Sequence, residues 1–140
     1  MLTTASTADR LRVAVGRLAR KLRQQSLGGL TPSQASVLST LDRHGPLTMG
    51  RLADHERISK PSATGIVGRL VDKGHVSRIA DAGDKRSFIV QITPDGRGLI
   101  DKRREERTAY LARRVDSLSD EDHRVLERAI ELLEDMVGDQ

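Results

Sequence analysis

The stretch that decides the fold is residues 59–96, which read SKPSATGIVGRLVDKGHVSRIADAGDKRSFIVQITPDG. Ser59 and Pro61 are residues that commonly begin a helix, the first as its cap and the second in its first turn. Gly74 is typical of the position just past a helix end, where the backbone often turns left-handed. The sequence therefore predicts a helix that begins at Ser59 and Pro61 and ends near Lys73.

Two short runs of β-prone residues follow this helix, at residues 76–80 and 88–92. Their composition predicts a pair of antiparallel strands. The residues between them, 81–87, are more than a tight hairpin turn requires. We therefore expect residues 81–87 to form a loop that projects from the two strands.

Two further helices are predicted upstream of this stretch. Thr31 and Pro32 repeat the cap-and-proline pattern and open a helix that stops near His44. Thr48 caps a shorter helix that ends before Ser59. A short helix, a tight connection and a second helix followed by two strands is the arrangement of a winged helix-turn-helix.

Amphipathic helices are predicted on both sides of this arrangement. Residues 8–27 place leucines and valine on one helical stripe among arginines. Thr93 and Pro94 open a long helix to about Val115, and Ser119 caps the last one, with Asp122 three residues on as in a capping box. The apolar residues of the last helix cover more than one stripe: Val125, Leu126, Ala129, Ile130, Leu132, Leu133, Met136 and Val137. A face that broad predicts contact with a second chain.

The helix predicted over residues 60–72 has two different faces. At 100° per residue its aliphatic side chains share one arc, which is predicted to be buried: Ala63, Ile66, Val67, Leu70 and Val71. The opposite face carries Pro61, Ser62, Thr64, Gly65, Gly68 and Arg69. A glycine inside a helix costs about 1 kcal/mol relative to alanine. The two glycines either permit close approach to DNA base pairs, accommodate another helix, or are merely tolerated.

Asp84 and Arg86 fall on the same side of an extended backbone. The carboxylate can therefore hold the guanidinium or fix the amides of the loop. An arginine at a projecting tip suits the minor groove of DNA, whose negative potential is strongest where the groove is narrow. The alternative is a solvated surface pair that contributes less than about 1 kcal/mol. Taken with the helix, the wing favours DNA binding.

These segments resemble the multiple-antibiotic-resistance regulator (MarR) family of bacterial transcription factors. The resemblance is carried by Asp84-x-Arg86 and Ile92-Thr93-x-x-Gly96, which follow Lys73-Gly74-His75-Val76-Ser77-Arg78, and the helix order agrees over nearly the whole chain. It implies a mainly α fold with a small β-hairpin. In that fold a winged helix-turn-helix is flanked by N- and C-terminal dimerisation helices.

The resemblance also implies what the parts of the chain do. Residues 1–140 would be a single domain, with a DNA-binding lobe at 31–92 and dimerisation helices at 1–30 and 94–140. The expected partners are a double-stranded, pseudo-palindromic operator, a second copy of the chain and a small-molecule effector, whose site is not assigned. Most relatives of this kind repress nearby genes. The expected DNA contacts are Lys60, Pro61, Ser62, Thr64, Gly65 and Arg69 on the helix and Asp84, Lys85 and Arg86 on the wing.

Composition narrows the function further. The chain of 140 residues has no cysteine, which excludes disulfides, thiolate metal sites and the cysteine-based peroxide sensing of some MarR members. Its aromatic residues are Phe88 and Tyr110, too few for a platform that stacks single-stranded nucleic acid. The net charge is +5 over residues 1–30 and −7 over residues 116–140, so we expect the first and last helices to pair across a dimer.

Enzymatic and metal-binding functions find little support. His55-Glu56 begins a zinc-protease motif, but Ser59 stands where the second histidine is needed. The other histidines are scattered, and neither metal nor cofactor is expected. The N-terminus has no apolar signal segment, so a cytoplasmic protein without a membrane partner is predicted. The remaining alternative is a winged helix that binds protein, which calls for an apolar exposed helix face and no arginine at the wing tip.

Overall fold

The computed structural model describes residues 1–25 and 28–138, with every side chain in them except that of Lys85. This part of the chain holds six helices and three short strands. In chain order they are α1 (Thr4–Gln25), α2 (Pro32–His44), β1 (Leu47–Thr48), α3 (Met49–Glu56), α4 (Lys60–Asp72), β2 (Val76–Asp81), β3 (Asp84–Ile92), α5 (Pro94–Asp116) and α6 (Asp120–Val137). None of these helices is both long enough and apolar enough to cross a membrane.

The described residues form two compact units. One comprises residues 28–105 and holds α2, α3, α4, the sheet and the first half of α5. The other comprises residues 1–25 and 106–138 and holds α1, the rest of α5 and α6. The assignment of residues 31–92 to DNA binding, and of the flanking segments to dimerisation, stays a prediction.

Four of the predicted helix starts are confirmed by their caps. Thr31, Thr48, Ser59 and Ser119 each accept a hydrogen bond from the backbone N–H three residues on. At Thr31 the bond is reciprocal, because the Gln34 side chain also accepts from the Thr31 N–H at 3.2 Å. These bonds satisfy amides that have no partner within the helix.

The start of α1 was predicted too late. The helix begins at Thr4, not at residue 8. Thr3 Oγ1 accepts from the Ser6 N–H at 3.1 Å and caps an additional first turn. This turn contains no leucine, so the apolar stripe did not reveal it. The predicted end of α1 at Leu27 lies outside the described residues. Gly74 has φ +80°, which confirms the left-handed position past the end of α4.

The sheet has three strands in the order β1-β3-β2, where the sequence predicted two. β1 pairs antiparallel with β3 through Leu47↔Val90 and Thr48↔Ile89. A strand of two residues is too short to show the alternation by which strands are recognised. β1 therefore exists only because the chain before α3 passes alongside β3.

The core of the 28–105 unit lies between α2, α3, α4 and the sheet. Its fully buried large side chains are Val37, Leu38, Leu41, Leu52, Val67, Leu70 and Val90. The predicted buried arc of α4 is confirmed at Ala63, Val67 and Leu70, which are 0% exposed, while Ile66 and Val71 are half-buried. This burial sets which face of α4 is left open to solvent.

The prediction of a long loop at residues 81–87 is wrong. β2 extends to Asp81 and β3 begins at Asp84, which leaves a turn of Ala82 and Gly83. Asp81 Oδ1 accepts from the Gly83 N–H at 2.9 Å and stabilises this tight turn. The register then jumps from Asp81↔Asp84 to Ala80↔Phe88, so residues 85–87 have no partner on β2. The extra length is taken up as a bulge in β3.

The Ile92-Thr93-x-x-Gly96 motif forms the joint between the sheet, the end of α4 and the start of α5. Thr93 Oγ1 donates to the Gly74 carbonyl at 2.7 Å and accepts from the Gly96 N–H at 3.1 Å. The Thr93 N–H donates to the His75 carbonyl at 3.0 Å. A Cβ on Gly96 would collide with that same His75 carbonyl oxygen. Only glycine fits here without backbone movement.

The unit of residues 1–25 and 106–138 leaves most of its apolar surface open. Within its described residues only Tyr110 is buried, and the Arg114 guanidinium lies 3.6 Å from the centre of its ring. The exposed large apolar side chains on α1 and α6 include Val15, Leu18, Val125, Ile130, Leu132, Leu133, Met136 and Val137. The broad apolar face predicted for the last helix is therefore exposed in the single chain.

Candidate nucleic-acid interface

The face of α4 opposite the core is exposed. It presents Lys60, Pro61, Ser62, Thr64, Gly65 and Arg69 to solvent, the six helix residues that the sequence predicted as DNA contacts. A side chain on Gly65 would meet no atom within 4 Å. Nothing in the described part of the chain therefore requires a glycine at this position.

Gly68 does not lie on the open face as predicted. It is half-buried, and the Arg78 guanidinium on β2 lies 3.7 Å from where its Cβ would be. A spacing of 100° per residue gives the correct position of Gly68 around α4. That edge of the helix, however, is covered by β2. The two glycines therefore have different surroundings, and only Gly65 is open to a partner.

Two hydroxyls on α4 are oriented by bonds within the helix. Ser59 Oγ accepts from the Ser62 N–H at 3.2 Å and donates to Ser62 Oγ at 2.8 Å. Thr64 Oγ1 donates to the Lys60 carbonyl at 2.9 Å. Ser62 therefore keeps its own proton for an external acceptor, whereas Thr64 offers lone pairs and a methyl group.

The sequence left two possible contacts open for Asp84, the Arg86 guanidinium or the amides of the loop, and the structure shows the second. Asp84 Oδ1 accepts from the backbone N–H of Arg86 at 2.9 Å, so the carboxylate fixes an amide and not the guanidinium. Arg86 is exposed, and no described side chain lies within ion-pair distance of its guanidinium. Lys85 belongs to β3, but its side chain lies outside the part described. Among the described side chains, the Arg86 guanidinium in the bulge thus has no ion-pair partner.

Several acidic residues of this unit are engaged internally. Glu56 accepts from Ser36 Oγ at 2.6 Å and from Thr40 Oγ1 at 2.5 Å. Asp42 accepts from Arg104 at 2.9 Å and lies 3.4 Å from Arg97 Nε. The remaining exposed surface includes the carboxylates Asp54, Asp72, Asp84 and Asp95 and the more numerous cations Arg43, Arg51, Arg57, Lys60, Arg69, Arg78 and Arg86. This surface suits a polyanion.

The histidines were expected to be scattered surface or structural residues. His44 and His55 are exposed but stack on one another, with ring centroids 4.2 Å apart. Sequence separation hid this contact, because it depends on how α2 crosses α3. Among the side chains that the structure describes, no group of three or more histidine, aspartate or glutamate residues is arranged to hold a metal ion.

Comparison with known proteins agrees with this geometry. A sequence model described as the MarR family matches residues 28–87. The HTH-type transcriptional regulator ML2140 of Mycobacterium leprae is 33% identical, over 96% of this chain and 95% of its own. The HTH-type transcriptional regulator Mb0904 of Mycobacterium bovis is 35% identical, over 92% of this chain and 91% of its own. The chain belongs to the MarR family.

The MarR fold accounts for the whole architecture. Transcriptional regulator Tm0710 of Thermotoga maritima superposes with a TM-score of 0.83 at 24% identity, over 96% of each chain. The MarR match covers α2, α3, α4, β2 and the Asp84-x-Arg86 segment of the wing. This MarR chain is therefore a DNA-binding transcriptional regulator with a winged helix-turn-helix, as its motifs predicted.

One structural feature of this MarR winged helix had no signal in the sequence. Glu56 ends α3 and reaches two hydroxyls of α2, which lie 20 and 16 residues earlier. A hydrogen bond across that separation leaves no periodicity or spacing by which it could be found. The contact holds the end of α3 against α2, directly before the turn that leads into α4.

Proposed function

We propose that this MarR chain is a sequence-specific repressor that binds a pseudo-palindromic operator in double-stranded DNA as a homodimer. A small-molecule effector releases it. The proposal is carried by two features together: the open, small-residue face of α4 and the exposed Arg86 at the wing tip. Each subunit contacts both grooves of the duplex with these two elements.

In this proposal α4 lies in the major groove. Gly65 has no side chain and an open surrounding, so the helix backbone can come close to the base pairs. The free proton of Ser62 is suited to a phosphate oxygen, and the Thr64 methyl group to a thymine methyl. Lys60 and Arg69 add charge at the two ends of the face, and Pro61 follows Lys60 at its N-terminal end.

The wing contacts the adjacent minor groove. Asp84 holds the backbone N–H of Arg86, which fixes where the arginine leaves the strand. The guanidinium then enters a groove whose negative potential is strongest over A·T tracts. Lys85 is proposed as a further wing contact from its place in the sequence, beside Arg86.

The homodimer is proposed from the unit of residues 1–25 and 106–138. Exposed apolar side chains on α1 and α6 would be buried against a second copy, and opposite charges on the first and last helices would flank them. Two recognition helices must then stand about 34–36 Å apart to enter successive major grooves. An effector that favours another spacing by about 1–3 kcal/mol would lower operator affinity about 5- to 150-fold.

The test begins with selection of the preferred duplex from random double-stranded oligonucleotides. We expect Arg86→Ala to weaken binding to the selected duplex by about 1–3 kcal/mol while the circular dichroism spectrum is unchanged. Arg124→Ala is the matched control, because it removes an exposed arginine from α6 and should leave affinity as it was. Equal affinity of the Arg86 variant and the parent in a titration at fixed salt would refute the wing assignment.

Salt dependence separates this proposal from protein recognition. Ile79 and Phe88 are each 48% exposed on the wing, a surface that a protein partner could use. DNA binding should weaken with salt at a slope of about −0.9 per phosphate contacted. A flat dependence would favour a winged helix that binds protein.

A further inference from the structure

The turn between α3 and α4 contains an unusual backbone conformation. Arg57 has φ 56° and ψ 43°, in the left-handed region. Across residues 1–25 and 28–138, four residues have positive φ: Arg57 and the glycines Gly29, Gly45 and Gly74. The left-handed region is unfavourable for a residue that has a Cβ. At this position the chain keeps an arginine where glycine would be the less strained choice.

The side chain of Arg57 has no task in forming the turn. The Arg57 N–H bonds to the Asp54 carbonyl at 3.2 Å, and the Ile58 N–H bonds to the Ala53 carbonyl at 3.1 Å. Both bonds come from the backbone and would form equally well with glycine. The Arg57 side chain is exposed, and its guanidinium has no described partner within ion-pair distance.

The nearest carboxylates along the chain form no ion pair with Arg57. The adjacent carboxylate, Glu56, is directed to the Ser36 and Thr40 hydroxyls on α2. Three residues beyond Arg57, Lys60 adds a second exposed cation. The turn therefore offers positive charge from a backbone that the Glu56 contacts hold against α2.

We infer that Arg57 binds a phosphate of the DNA backbone next to the groove that α4 enters; this rests on the proposed DNA binding. In a helix-turn-helix the first helix crosses the backbone and the second begins in the major groove. The turn that joins them then lies beside the phosphates. Arginine forms strong charge-assisted hydrogen bonds with phosphate, which offset the strain of the left-handed backbone.

Arg57→Gly tests this inference, because stability and DNA binding should change in opposite directions. The urea midpoint of unfolding should rise, since glycine relieves the backbone. Affinity for the selected duplex and for random duplex should both fall, about eightfold at 0.1 M salt, and the salt slope should shrink by about 0.9. Arg57→Lys should keep most of the salt slope. If Arg57→Gly fails to fold, Arg57→Asn serves instead, because asparagine tolerates the left-handed region.

Two results would overturn the inference. One is a stabilised Arg57→Gly protein with the affinity and salt slope of the parent. The other is a loss confined to the selected duplex, which would mean a base contact. Measurements on the parent chain and on Arg86→Ala distinguish failure of the Arg57 inference from failure of the proposed function. If the parent binds no duplex, both the inference and the proposed function are refuted. If the parent binds the duplex, and Arg86→Ala weakens this binding while Arg57→Gly leaves it unchanged, then only the role of Arg57 is refuted.

Discussion

Gly96 and Gly98 lie two residues apart in α5, yet only Gly96 needs to be glycine. A Cβ at Gly96 would overlap the His75 carbonyl oxygen and lie 2.9 Å from Ile92 Cγ1, whereas a Cβ at Gly98 would meet nothing within 4 Å. We expect Gly96→Ala to lower the free energy of unfolding by about 1–3 kcal/mol. Gly98→Ala should raise it by up to about 1 kcal/mol. Urea unfolding of both variants checks this, and similar effects would contradict the joint described for Gly96.

Gly65 lies in open surroundings like Gly98 but on the proposed DNA face. Gly65→Ala should therefore raise the free energy of unfolding by up to about 1 kcal/mol, because alanine favours a helix and meets no neighbour. The same variant should bind the selected duplex more weakly, since its methyl group separates α4 from the bases. Titration of the duplex checks this, with Gly98→Ala as the control that gains stability without losing affinity. Unchanged binding by Gly65→Ala would show that this glycine is merely tolerated.

At the scale of elements, α2 and α3 are joined by Glu56 as well as by the core. Its carboxylate accepts from Ser36 and Thr40, so truncation leaves two hydroxyls without their acceptor. Because the site is partly exposed, we expect Glu56→Ala to lower the free energy of unfolding by about 1–3 kcal/mol in total. Urea unfolding measures it, with exposed Asp54→Ala on the same helix as the control. Equal midpoints for the two variants would mean that the hydrogen bonds of Glu56 to Ser36 and Thr40 add nothing to stability.

The wing, formed by β2 and β3, differs in its backbone structure from the prediction. The tip is exposed, and it consists of a two-residue turn and a bulge instead of the predicted long loop. The difference matters for Arg86, because this residue belongs to β3 and its N–H is held by the Asp84 carboxylate. The proposed minor-groove contact therefore starts from a fixed backbone position at Arg86.

At the scale of the whole molecule, the proposed homodimer predicts a mass of about twice 15.4 kDa in sedimentation at micromolar concentration. Met136 and Val137 are 70% and 74% exposed in the single chain. Their replacement together by glutamine should lower dimer affinity, because each apolar side chain buried between copies contributes about 1.5–3 kcal/mol. Arg124→Ala on the same helix should leave the mass unchanged. A parent chain of 15 kDa at this concentration would refute the homodimer.

The sequence by itself determined where most helices begin and which arc of α4 is buried. These features depend on neighbours a few residues apart: a hydroxyl that caps an amide three residues on, or aliphatic residues repeating at the helical period. The family motifs were recognisable for the same reason, since they are short. The exposure of Pro61, Ser62, Thr64, Gly65 and Arg69 on α4 followed from such local spacing. The hydrogen bond from the Arg86 N–H to Asp84 is one of the two roles that this spacing allowed.

Only the tertiary structure decided the third strand, the bulge in β3, the Glu56 contacts, the His44 and His55 stack and the different surroundings of Gly65 and Gly68. Each depends on segments far apart in the chain that come together through packing of the core. Local patterns do not encode such distances, because many tertiary arrangements are compatible with the same helices and strands. The left-handed backbone at Arg57 belongs here too, since it depends on how α3 must end for α4 to pack.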